Sequence, residues 1–467
     1  MPSYAPHTPA DIAAMLAAIG VASVEDLFSH LPPKVRLGRA LDLPAGMDEG
    51  SLYLHLVELS QRNKAYLPPQ QLMGAGLYAA YQPSLLDVFF NRSEFLTSYT
   101  PYQPEIAQGT LQALFEYQTM ICELTGLAIS NASSYDGSTA LGDALGLLAG
   151  FGRDGARVLV SDGLYDQYRQ VLDTYNYGLG LAIATVADAN GHLDLDALKS
   201  AIGTGVRAVI IQSPNRFGIV ESPAVIHELA EAVHTAGGLL IQASDPLSLA
   251  LLTPPGETGV DIAVGEAQVF GNTPNFGGPV CGYFAVTDAL MRRLPGRVVG
   301  ETVDAEGRRA YVLTLTAREQ HIRREKATSN LCTSQALNAM GAMSYMAFFG
   351  KQGLPALALR IAALTHAAML GLSAVDGCCL PYNSQPHFRE FAVTVRGRSA
   401  GEINCRLCGH GFSSGIPLDN ERVLITLNET HDQATIDRLV AAIQSFNQTS
   451  PAASPAVSAV EPVEVAS

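Results

Sequence analysis

The feature that most constrains the fold is an alternation of short apolar runs and helical segments between residues 157 and 286. Helices are predicted at Asp194–Ile202 and Ala224–Ala236, between successive apolar runs. Parallel strands need such crossover connections, so the pattern predicts a mainly parallel sheet with helices on both faces. The predicted strands are Arg157–Ser161, Ala182–Val186, Ala208–Gln212, Leu239–Ala243, Asp261–Val264 and Gly282–Val286.

Polar residues follow several of these predicted strands at the point where the apolar run ends. Asp245 comes after LLIQA, and Glu266 and Gln268 come after the run that begins at Asp261. In open α/β sheets, ligands bind beyond the carboxyl ends of the strands. The sequence therefore predicts that any site of this domain lies at that edge.

Residues 99–126 combine a Tyr/Pro-rich turn with a long helix that is predicted to begin near Glu105. Apolar residues lie on more than one side of that helix, which indicates burial between layers or between subunits. The apolar residues are Leu111, Leu114 and Phe115 on one stripe, and Tyr117, Met120, Ile121 and Leu124 on another.

This block, YTPYQPEIAQGTLQALFEYQTMICELTG, resembles the P-protein family of the glycine cleavage system, glycine dehydrogenase (decarboxylating). The similarity is to the N-terminal half of that enzyme, which in many bacteria is a separate alpha subunit. Residues 4–28, 131–140, 264–285 and 295–339 resemble the same subunit in the same order. The resemblance extends over roughly residues 4–440, and motifs this long are far more specific than a short glycine pattern.

The resemblance implies fold type I of the pyridoxal-phosphate enzymes, the aminotransferase-like architecture. We expect an N-terminal helical arm at 1–65, a large α/β domain at 66–310, a linker helix with a small α+β domain at 311–445, and a disordered tail at 446–467. In the small domain the predicted helices are Ala336–Phe349 and Pro355–Leu372, and the predicted strands are Phe391–Val395 and Val423–Leu427.

An enzyme of this fold holds the cofactor phosphate at a helix N-terminus and its ring nitrogen with an aspartate. Gly137, Ser138 and Thr139 correspond to the phosphate loop, although the acidic Asp136 beside them disfavours a phosphate. The alternative is that this loop only caps the helix that follows. Asp245 stands where the ring partner belongs, and its alternative role is to cap the turn at Pro246.

The chain has only five lysines, and none of them follows a predicted strand just before a glycine-rich turn. By the spacing of the family motif, Gln268 stands where the cofactor-binding lysine would be. A glutamine amide cannot form a Schiff base. The five positions are thus interpreted as relics, and the resemblance implies that a beta subunit binds pyridoxal phosphate covalently. They are Gly137, Ser138, Thr139, Asp245 and Gln268.

Lys326 is the one lysine that competes for a catalytic role, because it lies in the basic segment REQHIRREKATSN at 318–330. The alternatives are a charged brace that pairs with Glu319, Glu325 or a partner chain, and a surface that recruits an anionic partner. A self-sufficient homodimeric lyase or aminotransferase would need Lys326 as its Schiff-base lysine. A purely structural scaffold subunit is the remaining alternative.

The resemblance implies that the assembled enzyme decarboxylates glycine and passes an aminomethyl group to the lipoyl arm of the H-protein. It also implies an alpha2beta2 assembly with sites at subunit interfaces. Our candidates for contributions to such a site are Tyr99, Tyr102, Gln103 and Glu105. The alternative is a proline-braced turn whose tyrosines only pack at the interface.

Composition narrows the choice of partners and of compartment. A net charge of −15 argues against binding to nucleic acid. The sequence has no run of 18 apolar residues, so no membrane-spanning segment is predicted. Seven cysteines, an odd number, and the lack of a visible targeting signal favour the cytoplasm. Cys405, Cys408 and His410 could suggest a metal site, but they lack a second ligand pair, and we interpret the cysteines as ordinary core residues.

Overall fold

The computed structural model describes residues 7–152, 156–203 and 205–446. Its contacts divide the chain into two compact units, Met1–Ala65 and Tyr66–Ser467. The predicted tail lies outside the described residues except for Phe446. The boundary predicted at residues 310 and 311 falls inside the second unit and stays a prediction.

The first unit contains two α-helices, α1 (Pro9–Ile19) and α2 (Glu49–Gln61). A capping box begins α1, because Thr8 and Asp11 each accept a hydrogen bond from the backbone of the other. Gly20 ends that helix in a left-handed conformation, φ 84°. The capping residues therefore fix the ends of α1.

The second unit carries the sheets and begins with three helices, α3 (Ser84–Phe90), α4 (Ser93–Leu96) and α5 (Gln108–Thr125). The elements of the large layer follow: β1 (Ile129–Ser130), α6 (Gly137–Ala149), β2 (Arg157–Ser161), α7 (Asp166–Leu179), β3 (Ala182–Val186), α8 (Leu195–Ala201), β4 (Val206–Gln212), α9 (Pro223–Thr235), β5 (Leu239–Ala243), β6 (Ile262–Glu266) and β7 (Gly282–Val286).

These strands form a seven-stranded sheet in the order β1-β7-β6-β5-β4-β2-β3. The strands from β3 across to β6 pair in parallel, while β7 runs antiparallel to β6 and β1 antiparallel to β7. The predicted α/β class is confirmed, and the predicted strands agree with the observed ones to within two residues. Apolar runs located them well because both faces of the inner strands are buried.

The helix predicted from Glu105 begins instead at Gln108. Pro104–Ile106 forms a separate 3-10 turn, and Ala107, at φ −116° and ψ 22°, separates that turn from the helix. The prediction of a helix buried on several sides is confirmed. Leu111, Leu114, Tyr117 and Ile121 all belong to the core beneath the sheet.

The chain then forms a hairpin of β8 (Val298–Val303) and β9 (Arg309–Thr314), a short α10 (Gln320–Arg323) and a long α11 (Ala336–Ser373). A four-stranded antiparallel sheet completes the unit. It contains β10 (Cys378–Cys379), β11 (Glu390–Val395), β12 (Ile416–Pro417) and β13 (Val423–Thr426), with α12 (Ala400–Gly409) and α13 (Gln433–Ser445).

The two helices predicted in the small domain correspond to the two arms of α11. Gly350, at φ 61° and ψ −169°, bends the helix in a conformation open essentially to glycine alone. By length and composition α11 could cross a membrane. Its buried residues, however, join two core clusters of the second unit, with Tyr345 in one and Leu372 in the other, so α11 is a core helix.

Candidate functional site

Gln268 lies in a 3-10 turn directly after β6 and is completely buried. Its side-chain oxygen accepts a hydrogen bond from the Tyr78 backbone N–H at 2.9 Å, and its amide donates to the Tyr78 carbonyl at 3.0 Å. The same amide donates to the carbonyl of Asn272. The hydrogen-bonding groups of this side chain are thus used by the backbone of its own chain.

Asp245 follows β5 and faces a buried arginine. The Nε atom of Arg389 lies 2.8 Å from Oδ2 of Asp245, but its N–H is not aligned with that oxygen, so the contact is an ion pair without a directed hydrogen bond. The other carboxylate oxygen accepts the Leu247 N–H at 2.9 Å, which is the predicted turn cap. Burial raises the pKa of Asp245, and Arg389 opposes that shift.

The N-terminus of α6, where the sequence placed a phosphate loop, is already occupied by carboxylates. Asp136 accepts the Thr139 N–H at 2.8 Å and the Ser138 hydroxyl at 2.5 Å. Glu266, at the end of β6, accepts the Gly137 N–H at 2.9 Å. A phosphate at this loop would displace one carboxylate and meet the charge of the other.

Glu266 ties this loop to the turn that contains Gln268. Its second oxygen accepts the backbone N–H groups of Gln268 and Cys281, each at 3.0 Å. Burial raises the pKa of the Glu266 carboxyl to about 7. Three backbone donors converge on this single side chain, which therefore takes the place of an external anion.

Tyr78 fills the space between these groups. Its ring lies 4.2 Å from the Arg389 guanidinium carbon, and its hydroxyl lies 3.2 Å from the hydroxyl of Tyr165. Tyr165 in turn donates to Glu390 at 2.6 Å. We call the region enclosed by Gly137, Asp245, Gln268 and Tyr78 the vestigial pocket.

A tight loop brings Tyr78 into that pocket. Ala75 donates its N–H to Glu390 at 2.6 Å, and a Cβ atom added at Gly74 would collide with side-chain oxygens of Glu390 and Thr426. Any larger residue at this position would force the side chains of Glu390 and Thr426 to move. The loop at Gly74 and Ala75 packs against Glu390 and Thr426 of the small sheet, next to the pocket that Tyr78 fills.

The vestigial pocket retains a cavity of about 20 Å³, lined by Tyr78, Tyr165, Asp245 and Glu266 among others. That volume is room for about one water molecule. Pockets for cofactors and drug-sized ligands have volumes of about 300–1,000 Å³. Since its charged groups are also paired internally, the vestigial pocket does not fit pyridoxal phosphate.

The turn at 99–105 lies apart from the vestigial pocket. Tyr99 and Tyr102 are 75% and 60% exposed, and Gln103 and Glu105 are exposed as well. Within the described ranges, no hydrogen bond, ion pair or ring contact joins these four residues to Asp245 or Gln268. The structure thus gathers the five relic positions at one edge of the sheet and leaves the four interface candidates on the surface.

Lys326 ends a 3-10 turn, Arg324–Lys326, and is exposed rather than placed at a strand end. The carboxylate of Glu319 pairs with Arg297 at 3.6 Å and with His321 at 3.7 Å. The expected brace between Lys326 and Glu319 is therefore not formed in the part of the chain that the structure describes. The basic segment lies away from the carboxyl ends of the strands.

Sequence reasoning missed most residues that close the vestigial pocket. Glu266 was recognisable as a polar residue at a strand end. Tyr78 and Arg389 carried no signal, because they approach the sheet from distant parts of the chain; Tyr78 bonds to a side chain 190 positions away. No local sequence pattern predicts a hydrogen bond between residues so far apart in the chain.

Comparison with known proteins connects this geometry to one family. The model of the family "Glycine cleavage system P-protein" matches residues 2–443. A "Probable glycine dehydrogenase (decarboxylating) subunit 1" from Moorella thermoacetica is 46% identical over 450 residues, which are 95% of this chain and 99% of the relative. The protein of the same description from Lysinibacillus sphaericus is 47% identical over 444 residues, 94% of this chain and 98% of the relative.

Solved structures support the same relationship. A crystal structure of glycine decarboxylase (P-protein) of the glycine cleavage system, in inhibitor-bound form, superposes with a TM-score of 0.84 and 40% identity, over 95% of this chain and all of that chain. C-DES, a mutant with glycine covalently linked to its PLP cofactor, superposes with a TM-score of 0.57 at 15% identity, over 77% of this chain and 91% of that one. The second likeness concerns the fold alone, which is fold type I of the pyridoxal-phosphate enzymes.

Proposed function

Because this chain belongs to the glycine cleavage system P-protein family, we propose that it is the cofactor-free subunit of a glycine dehydrogenase (decarboxylating) and supports a catalytic site on a partner beta subunit. The chain covers nearly the full length of relatives called subunit 1. Pyridoxal phosphate belongs to the assembled enzyme.

The observation that carries this proposal is the vestigial pocket. Gln268 replaces the lysine, Arg389 is the cation beside Asp245, and Glu266 satisfies the amide that a phosphate would use. If a cofactor displaced these contacts, the buried charges that they pair would lose their partners. Such a loss costs several kcal/mol per ion. A lysine-bearing beta subunit is therefore the place where we locate the cofactor.

In this proposal the exposed turn is the contribution of this chain to the shared site. Tyr99 and Tyr102 present large amphipathic surfaces, and Gln103 and Glu105 add an amide and a carboxylate next to them. Tyrosine and arginine are enriched at the energetic centres of interfaces. These side chains would exclude water and hold substrate groups in place; we assign none of them a proton-transfer step.

The same proposal includes the other members of the reaction. Glycine is the substrate, the lipoyl arm of the H-protein receives the aminomethyl group, and two alpha and two beta chains form an assembly with two-fold symmetry. A cytoplasmic location is part of the proposal. It is supported by the cysteines, all seven of which are free thiols.

The decisive experiment asks which chain carries the cofactor. This chain, a candidate beta chain and their mixture are each reduced with borohydride in the presence of pyridoxal phosphate, and pyridoxyl-lysine is mapped by mass spectrometry. We expect label on the beta chain only. With oxidised, lipoylated H-protein added to every assay as the acceptor of the aminomethyl group, we expect release of labelled CO₂ from [1-¹⁴C]glycine only in the mixture. Label on Lys326, or turnover by the lone chain, would contradict the proposal.

A second measurement separates a shared site from a purely structural scaffold. Tyr102→Ala and Glu105→Ala are assayed in the reconstituted mixture, with Tyr177→Ala as a control that removes another exposed tyrosine of the same unit, 96% exposed. A shared site predicts lower kcat or higher KM at unchanged assembly. If the mixture keeps wild-type kinetics with both turn variants, the chain is a scaffold.

A further inference from the structure

One buried cation outside the vestigial pocket has hydrogen-bond donors that are not used. Arg297, which precedes β8, is only 3% exposed, and its Nε and Nη1 atoms donate to no acceptor among the described residues. The Glu319 carboxylate lies 3.6 Å from Nε, which is an ion pair but too long for a hydrogen bond. A buried guanidinium with spare donors is costly unless an acceptor completes it.

The charge around Arg297 is unbalanced. Arg318 also shares Glu319, its Nη1 atom is buried without a partner, and burial lowers its pKa while Glu319 opposes that shift. His321 approaches the same carboxylate at 3.7 Å. Arg318 donates to the carbonyls of Leu315 and Gly296, so Glu319 is the one carboxylate that offsets the charges of both arginines, and the cluster carries an excess of positive charge in a protein whose net charge is −15.

The exposed turn covers this cation. The Arg297 guanidinium carbon lies 5.0 Å from the centre of the Tyr102 ring, and Tyr102 itself is 60% exposed. Thr100, two residues earlier, has a buried hydroxyl oxygen with no partner in the described structure. An anion that binds at the turn would contact the exposed ring of Tyr102, and the unused donors of Arg297 lie on the buried side of that ring.

A neighbouring arginine shows what a completed pair looks like in the same region. Arg309 lies 5.2 Å from the Tyr311 ring, and its Nη2 atom is 2.7 Å from a carboxylate oxygen of Glu301. Its side chain is 60% exposed, so water serves its other donors. Arg297 also lies next to an aromatic ring, but it has no carboxylate within hydrogen-bonding distance and it is not exposed to water.

We infer that Arg297, beneath Tyr102, binds an oxyanion of a small molecule in the assembled enzyme, either a carboxylate or a phosphate. This inference rests on the proposed function, since only a shared site brings such a molecule to the turn. The substrate glycine offers the carboxylate and the cofactor on the partner subunit offers the phosphate. Arg297 is a binding residue in this scheme and takes no part in proton transfer.

The test uses the reconstituted complex. Arg297→Met is combined with Glu319→Gln so that neither charge is left buried alone, and Arg297→Lys tests whether a positive charge suffices without the planar fork of the guanidinium. The matched control is Arg309→Met with Glu301→Gln. For each complex we measure kcat and KM for glycine, the dissociation constant of pyridoxal phosphate by absorbance titration of the apo complex, and the affinity between subunits.

Loss of a charge-assisted contact weakens binding roughly 10- to 100-fold. A rise of that size in KM with an unchanged cofactor constant identifies the glycine carboxylate, and a rise in the cofactor constant identifies the phosphate. Arg297→Lys should lie between wild type and the double variant, and the Arg309 control should equal wild type.

Unchanged binding of both small molecules would overturn the inference. So would a loss confined to subunit affinity, since the acceptor would then be a side chain of the partner. An inactive mixture of the two wild-type chains would instead refute the proposed function itself, and the two failures are therefore distinguishable.

Discussion

Arg389 and Asp245 form an ion pair inside a pocket that is closed to solvent, with Nε and Oδ2 2.8 Å apart and both side chains at most 6% exposed. The pair joins the segment directly before β11, in the small antiparallel sheet, to the carboxyl end of β5 in the large one. It connects the small sheet to the large sheet at the edge where ligands bind in open α/β sheets. Its energetic role can be measured directly.

We predict that Arg389→Met destabilises the chain by about 3–5 kcal/mol, because Asp245 is left buried without a counter-charge. Asp245→Asn should cost a similar amount, and the double variant less than the sum. Urea unfolding of the three variants measures this coupling. The exposed pair of Arg396 and Asp376, 3.3 Å apart, is the control, and Arg396→Met should change the free energy of unfolding by no more than about 1 kcal/mol. Additive effects at Arg389 and Asp245 would show that the pair is not coupled.

Gln268→Lys alone should fail to create a cofactor site. The new ammonium group would enter a region where Tyr78 and Arg389 already fill the volume, and the remaining cavity of about 20 Å³ admits no ring. We expect no pyridoxyl-lysine after borohydride treatment, together with a lower melting temperature, because the bonds to the Tyr78 backbone are lost. Gln268→Met is the control, because it removes the hydrogen bonds to the Tyr78 backbone without adding a charge. A labelled Lys at position 268 would show that the pocket opens more readily than its packing indicates.

Gly74→Ala should destabilise the second unit by about 1–3 kcal/mol, since its Cβ would overlap oxygens of Glu390 and Thr426 and overpacking typically costs that much. Gly178→Ala is the matched control. Gly178 lies inside α7 with nothing within 4 Å of an added Cβ, so alanine should stabilise the helix by about 0.5–1 kcal/mol. Thermal unfolding of both variants gives the comparison, and equal shifts would show that the loop at Gly74 yields without strain.

Stability should fall as the pH rises from about 5 to 8. Burial raises the pKa of Asp143 and of Glu266 to about 7, so in this range the native chain binds more protons than the unfolded chain. The free energy of unfolding then decreases with pH, by at most roughly 3 kcal/mol for each group. Asp143→Asn keeps the acceptor for the Ser329 hydroxyl and should flatten the slope, whereas the exposed Asp196→Asn should not. A free energy of unfolding that does not fall between pH 5 and 8, and is unchanged by Asp143→Asn, would contradict the raised pKa of Asp143.

The sequence predicted the architecture well where one local signal was sufficient. The strands of the large sheet are short apolar runs such as Leu239–Ala243, and Thr8 and Gly20 mark the ends of α1. The start of α5 was misplaced by three residues because Pro104 is compatible with both a helix and a 3-10 turn. At Gly350 two predicted helices continue as one bent helix. The periodicity of apolar residues does not distinguish such a bend from two separate helices.

The site was predictable only in part, for a physical reason. Positions such as Asp245 and Gln268 follow strands, and the sheet brings the ends of strands together. The residues that fill the pocket come from other layers: Arg389 from the segment before β11, and Tyr78 from a loop before α3. Their roles depend on long-range packing, as do the unused hydrogen-bond donors of Arg297, and neither composition nor spacing in the sequence predicts them.

The internal pairing in the vestigial pocket has a consequence for how the two kinds of subunit respond to cofactor supply. An enzyme that binds a ligand only in its native state gains stability as the ligand concentration rises. This chain carries the substituting groups covalently, as Arg389, Tyr78 and Glu266, so their effective concentration never changes. Its fold should therefore be as stable without pyridoxal phosphate as with it, whereas the proposed function makes the stability of the beta subunit depend on the cofactor concentration.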